Sequence, residues 1–264
     1  MDNNNLISKL NGKLQAPKSE PAVERTETMS TSLILNESEY IGLTSDTLDI
    51  ISANLKNQPL SHGLFDIVKS PSGGTTAFTV PSMSGEEVEK ELTGIIIDYT
   101  TPRAYWDTPD PVEGTPPICF SRDSLVSYDG KPCSQCIYNE FGSKDNGNGD
   151  SNGGKACKES VLLYLLRKDN IIPLIVRVPV SSKMHFLRYT TRLVSNLTPI
   201  NGVVTKITLE KAVNKTGQPY AIYNFEAIQT LSKEEAVSAR AYGQKFVELL
   251  NASGDVEPAI AEVA

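Results

Sequence analysis

Val161-Leu-Leu-Tyr-Leu-Leu166, Arg167-Lys-Asp-Asn170, Ile171-Ile-Pro-Leu-Ile-Val-Arg-Val-Pro-Val180, Ser181-Ser-Lys-Met-His-Phe-Leu-Arg-Tyr-Thr-Thr-Arg-Leu-Val194: on this stretch the fold turns. Two apolar, β-rich runs flank a polar turn, the pattern of a hairpin of buried strands. Beyond Pro179 the apolar spacing becomes helical. Ser181 or Ser182 is expected to cap a helix whose Phe186, Leu187, Thr190 and Val194 face inward, with His185, Arg188 and Arg192 on the other side.

Downstream, Asn201-Gly202 leads into strands expected at 203–211 and 220–230, joined by Asn214-Lys-Thr-Gly217. Ser232 and Glu235 form a capping box that opens a last helix through Leu250, with Ala239, Tyr242, Phe246 and Leu249 on one stripe. Upstream, 93–99 reads as a first strand continuing toward Arg103-Ala-Tyr-Trp106, and 117–127 as a second. Further back, Ser45 caps a helix in which Leu48, Ile51 and Leu55 share a face and Pro59 marks the exit. Next, 64–68 and 77–80 read as a hairpin around Ser70-Pro-Ser-Gly-Gly-Thr75.

Strands, helix, then two strands is the element order of the oligonucleotide/oligosaccharide-binding (OB) barrel. The expected class is therefore mainly β (α+β): a five-stranded OB-type barrel with a capping helix, an insertion between strands two and three, and N- and C-terminal helical additions. By segment, 1–30 is a disordered arm, 31–92 a helix and hairpin packed on the barrel, and 93–231 the barrel with its insertion at 119–157. The last helix covers 232–250, and 251–264 is a disordered, weakly acidic tail.

All four cysteines, Cys119, Cys133, Cys136 and Cys157, fall in that insertion, the middle two as Cys-x-x-Cys. Zinc takes four thiolates in a tetrahedron, and a Cys-x-x-Cys turn presents two of them to one point. Two disulfides or buried free thiols are the alternatives. The start Met1-Asp-Asn-Asn-Asn lacks a basic, apolar leader, which points to a reducing cytoplasm, and polar turns around the cysteines disfavour a dry core. A catalytic zinc is disfavoured because only His62 and His185 are present, neither in a metal motif. The polar tip at 145–154 lacks the glycine and glutamate of a calcium loop and reads as a linker.

At 39% hydrophobic and 22% charged, the composition is that of an ordinary globular protein, with no apolar run of membrane length. The net charge of −7 hides a basic segment: residues 155–231 carry 11 basic and 4 acidic side chains between acidic flanks. Such a face attracts phosphates. Aromatic residues are interleaved with cations through the barrel region. Tyr164, Phe120 and Phe225 are expected in the core, whereas Tyr105, Trp106 and Tyr128 flank polar turns and are expected to be accessible for stacking. With them, Arg103, Arg122, Lys131, Lys158, Arg167, Lys168, Arg177, Arg188 and Lys206 are candidates to track a phosphate backbone.

The segments Gly94-Ile-Ile-Ile through Arg103-Ala-Tyr-Trp106, Pro117-Ile-Cys119-Phe-Ser, Cys133-Ser-Gln-Cys136, Phe141-Gly-Ser, Gly154-Lys-Ala-Cys157-Lys and Val204-Thr-Lys-Ile-Thr-Leu-Glu resemble phage or mobile-element single-stranded-DNA-binding proteins. The likeness spans roughly residues 85–230. It implies an OB barrel with a zinc subdomain, DNA as ligand, and replication or recombination proteins as partners. Two departures stand out. The family's zinc set includes a histidine where this chain has four cysteines, and the tail here holds only Asp255, Glu257 and Glu262. With no Walker A motif, paired catalytic carboxylates or Cys–His dyad, the expectation is a non-enzymatic binder of single-stranded DNA with structural zinc in the cytoplasm, the host's if phage-encoded. A zinc-containing module that engages a replisome or host protein is the alternative.

Overall fold

The computed structural model describes residues 39–43, 47–56, 58, 64–68, 71, 73–108, 115–144, 154–214 and 217–252. The expected N-terminal arm, Ser45, Pro59, the polar tip at 145–153 and the tail from 253 lie outside the described residues. The fold is mixed α+β. In chain order it comprises α1 (Thr47–Leu55), β1 (Ile67–Val68), β2 (Phe78–Ser82), β3 (Gly85–Glu89), β4 (Glu91–Thr100), β5 (Arg103–Tyr105), β6 (Cys119–Ser121) and β7 (Lys158–Glu159). There follow β8 (Val161–Leu166), β9 (Leu174–Val178), α2 (Val180–Ser195), β10 (Val203–Val213), β11 (Pro219–Thr230) and α3 (Lys233–Ala252). No described helix is long and apolar enough to cross a membrane.

The main sheet runs β1-β9-β8-β4-β10-β11, beside a β2–β3 ribbon and a small sheet ordered β6-β5-β7. Among the described residues no sheet closes into a barrel. The expected β8–β9 and β10–β11 hairpins are both present and antiparallel. Strand β8 has no alternation because both its faces are buried. Leu162, Tyr164 and Leu166 enter one apolar layer with Ile95, Ile97 and α3 residues; Val161, Leu163 and Leu165 enter the other with Ile96 and α2 residues. Each such side chain removed from water contributes about 1.5–3 kcal/mol.

Helix α3 begins with the expected capping box: Glu235 N–H donates to Ser232 Oγ at 3.2 Å and Ser232 N–H to Glu235 Oε2 at 3.1 Å. Its buried stripe is Ala239, Tyr242, Phe246 and Leu250, with Leu249 left exposed. Gly243 lets the helix approach the sheet, since a Cβ there would lie 2.6 Å from the Ile97 carbonyl oxygen. Helix α2 is rotated from its expected phase. Ser182, Phe186, Tyr189 and Leu193 are buried and Val194 is exposed, because Tyr189 and Leu193 bury more apolar area than Thr190 and Val194 can. Neither serine caps: Ser182 Oγ instead accepts the Tyr223 N–H at 3.0 Å, satisfying an outward donor of edge strand β11. The Tyr189 and Thr205 hydroxyls hydrogen-bond at 2.7 Å across the same interface.

The N-terminal region departs most from expectation. Residues 64–68 and 77–80 do not pair with each other; β1 runs parallel to β9, and β2 pairs with β3 through a turn at Ser82–Gly85. Beside them, Ile51 of α1 is buried and Leu55 is half-buried. Phe78 of β2 packs edge-on against Tyr223 of β11 at 5.5 Å. Strand β1 thus pairs with β9 at one edge of the main sheet, and β2 packs on β11 at the other. The strand expected at 117–127 shrinks to β6 plus an isolated bridge, Val126 to Pro132, so the cysteine insertion leaves after β4 and returns before β8, one strand earlier than expected.

Candidate metal centre and nucleic-acid interface

The small sheet is the platform of the insertion. Its central strand β5 sets Tyr105 opposite Cys119 and Arg103 opposite both Ser121 and Glu159. Two 3-10 turns, Cys133–Gln135 and Ile137–Asn139, carry the Cys-x-x-Cys pair. Backbone bonds fix the thiols' positions: Cys133 N–H to Leu125 O at 2.8 Å, Cys136 N–H to Cys133 O at 3.3 Å, and Cys157 N–H to Tyr138 O at 2.8 Å.

All four cysteines are free thiols and line one cavity of about 670 Å3. Burial, then Asp129 and the neighbouring Cys136 and Cys133, raises the Cys119 thiol pKa. Burial likewise pushes Cys157 to about 11, with Arg103 opposing the rise and the other thiols adding to it. The electrostatic cause is plain: gathered thiols resist joint ionisation unless a cation compensates them. The donor set fits zinc in kind and number. Yet among the described residues no three His, Cys, Asp or Glu side chains converge as a metal's ligands. Lining one cavity is a looser relation than coordination, so the thiols are gathered without being closed on a point.

A polar chain ties this site to the main body. Asn139 donates through Nδ2 to Cys133 O at 2.9 Å, and its Oδ1 accepts from Arg103 and, at 3.1 Å, from Lys155. Arg103 also binds Glu159 at 2.9 Å, and Glu159 accepts from Lys183 of α2. Sequence reading missed Asn139, whose only local signal is its position three residues past Cys136.

The aromatic candidates separate. Tyr105 stacks on Tyr138 with centroids 3.8 Å apart, and Tyr128 stacks on Phe120 at 5.1 Å; all four line the cavity. Tyr128 is 63% exposed. Trp106, expected to be accessible, is buried beside Ala104 and Phe120, and its indole donates to Thr115 O at 2.9 Å. A ring of that size gains most from burial once its N–H has a partner. Tyr164 lies in the core as expected, and Tyr223 is buried in the apolar layer on the other face of the sheet.

The cations do not form one track. Arg103 is held by Glu159; Lys131 pairs with Asp129 at 2.6 Å, Arg167 with Glu89 at 2.8 Å and Lys206 with Glu226 at 2.8 Å, while Lys168 pairs with Glu39. Arg167 and Lys168 follow β8 at the end away from the insertion, about 20 Å along that strand. Lys206, opposite Thr93 near the start of β4, lies toward the same far end. Lys158 sits beside the insertion, its ammonium 5.9 Å from the Trp106 ring centroid. Arg122 and Arg188 are exposed, on the insertion and α2; Arg177 is half-buried on β9. Of the expected nucleic-acid set, the structure brings together around the cavity only Arg103, Tyr105, Tyr128 and Lys131.

No known protein family, curated protein or solved structure matches the chain.

Proposed function

We propose that the chain is a non-enzymatic, sequence-tolerant binder of single-stranded DNA acting in phage DNA replication or recombination, built on an OB-type core with a structural zinc in its insertion. The observation that carries this reading is strand order. Taking β4, β8, β9, β10 and β11 as core strands one to five, their spatial order is 3-2-1-4-5, and α2 lies between the third and fourth, as in the OB arrangement. The insertion then occupies the loop between strands one and two, one of the two loops through which OB folds hold oligonucleotides. Four thiolates on zinc would supply about 10–16 kcal/mol of apparent binding energy to a region with almost no apolar core of its own. An electrophoretic shift series with single-stranded DNA, duplex DNA and RNA tests the reading. A shift with single-stranded DNA at lower protein than with duplex supports it; no shift with any single strand refutes it.

A second reading, a zinc-containing module that engages a replisome or host protein, has its own support. Five candidate cations already hold carboxylates, and Ile118, Leu125, Val126 and Ile137 of the insertion are exposed aliphatics. Capture of a replication protein by a chain that shifts no DNA selects this reading.

A further inference from the structure

Both faces of the sheet are covered along β4, β8 and β9, while the outer parts of β10 and β11 stay exposed. Helix α3, with Tyr242 and Phe246, lies over the layer containing Ile95, Tyr164 and Ile175; α2 and β2 lie over the other. Over β4, β8 and β9 the open strand face on which an OB fold ordinarily lays bases is therefore filled by the chain's own side chains. Among the described residues the most exposed rings are in the insertion: Tyr128 at 63%, Tyr138 at 37% and Phe141 at 81%, whereas Tyr99, Tyr220 and Phe225 on the main sheet are half-buried.

Two of these are built as platforms. Tyr128 lies nearly parallel to Phe120, with an interplanar angle of 8°, and Tyr138 nearly parallel to Tyr105, at 15°. Each outer ring is backed by an inner ring on a paired strand, Phe120 on β6 and Tyr105 on β5, so its plane is fixed before any ligand arrives. Prepaid ordering of this kind is what a stacking site needs, because the side chain loses little further freedom on binding. Both platforms line the 670 Å3 cavity, whose wall also includes Gln135, an exposed side-chain amide with no hydrogen-bond partner among the described residues. A planar ring with polar edges fits such a setting: the tyrosines take its faces and the amide reaches its edge. Nucleobases are that chemistry, and stacking serves every base alike.

We infer that the bases of a bound single strand stack on Tyr128 and Tyr138 at the mouth of the cysteine-lined cavity, so that the insertion, not the main sheet, is the nucleic-acid platform. This rests on the single-stranded-DNA reading above. The test is anisotropy of labelled oligo-dT with the full chain and its Tyr128→Ala, Tyr138→Ala, Tyr128→Phe and Tyr220→Ala variants across a salt series. Tyr128→Ala and Tyr138→Ala are each expected to weaken binding by roughly 5- to 150-fold, one lost stacked base, with an unchanged salt slope. Tyr128→Phe keeps the ring and should bind like wild type, as should Tyr220→Ala on β11. If both ring deletions bind like wild type, the inference fails while the single-stranded-DNA reading stands; if wild type does not bind, both fail. Photo-crosslinking of the unmutated chain to an iodouracil-substituted oligonucleotide gives a readout independent of variant folding. Adducts at Tyr128 or Tyr138 support the platform, and adducts confined to the main-sheet strands overturn it.

Discussion

Cys136 carries a simple prediction. Under the zinc reading, purified chain holds about one zinc by elemental analysis. Cys136→Ser should lower that content and open residues 119–157 to protease, while fragments of the β8–β9 and α3 core persist. Less than one zinc in the wild type contradicts the structural-zinc reading. Asp98 offers a second test at this scale. Burial raises its carboxyl pKa, and the Tyr99 N–H, donating to Oδ1 at 2.8 Å, only partly offsets that. A carboxyl that holds its proton more tightly when folded weakens the fold as pH rises through the carboxylate range. Asp98→Asn should therefore raise the urea midpoint at neutral pH and flatten its fall between acid and neutral solution. An unchanged pH profile would remove burial as the cause. The gathering of the four cysteines around one cavity was legible in the sequence because they share one short window and a Cys-x-x-Cys turn. Asn139, Tyr138 and Gln135 were not, since their roles depend on where two 3-10 turns place them.

At the scale of elements, α3 depends on one close approach. Gly243→Ala would push a methyl group into the Ile97 carbonyl, and displacement of the helix should cost roughly 1–3 kcal/mol. Equilibrium denaturation measures this directly, and a neutral substitution would mean the helix does not sit against β4 as described. Legibility followed periodicity. The β8–β9 hairpin, the β10–β11 hairpin and α3 were readable because apolar spacing and caps agree along the chain. The phase of α2 was missed, since Thr190 and Val194 also satisfy a helical stripe and only packing on the sheet, with the Tyr189–Thr205 and Ser182–Tyr223 hydrogen bonds, selects Tyr189 and Leu193. The hairpin expected at 64–80 failed for a related reason: strand pairing is chosen by available edges, and β9 offered β1 one.

For the whole molecule, the layout divides labour: the β4, β8 and β9 strands are buried on both faces, and the cysteine-bearing insertion presents aromatic surface. Charge counts along the sequence do not reveal that Arg167, Lys168 and Lys206 already face carboxylates away from the insertion. Under the single-stranded-DNA reading, phosphates would compete with pairs such as the exposed Lys168–Glu39, worth about 0–1 kcal/mol, so these cations would add to affinity without locating the site. The most direct test is equilibrium binding of oligo-dT by the metal-loaded full chain in rising salt. Binding should weaken linearly on logarithmic axes, with a slope of about −0.7 per phosphate neutralised. Absence of binding, or an affinity indifferent to salt, would contradict single-stranded DNA as the ligand.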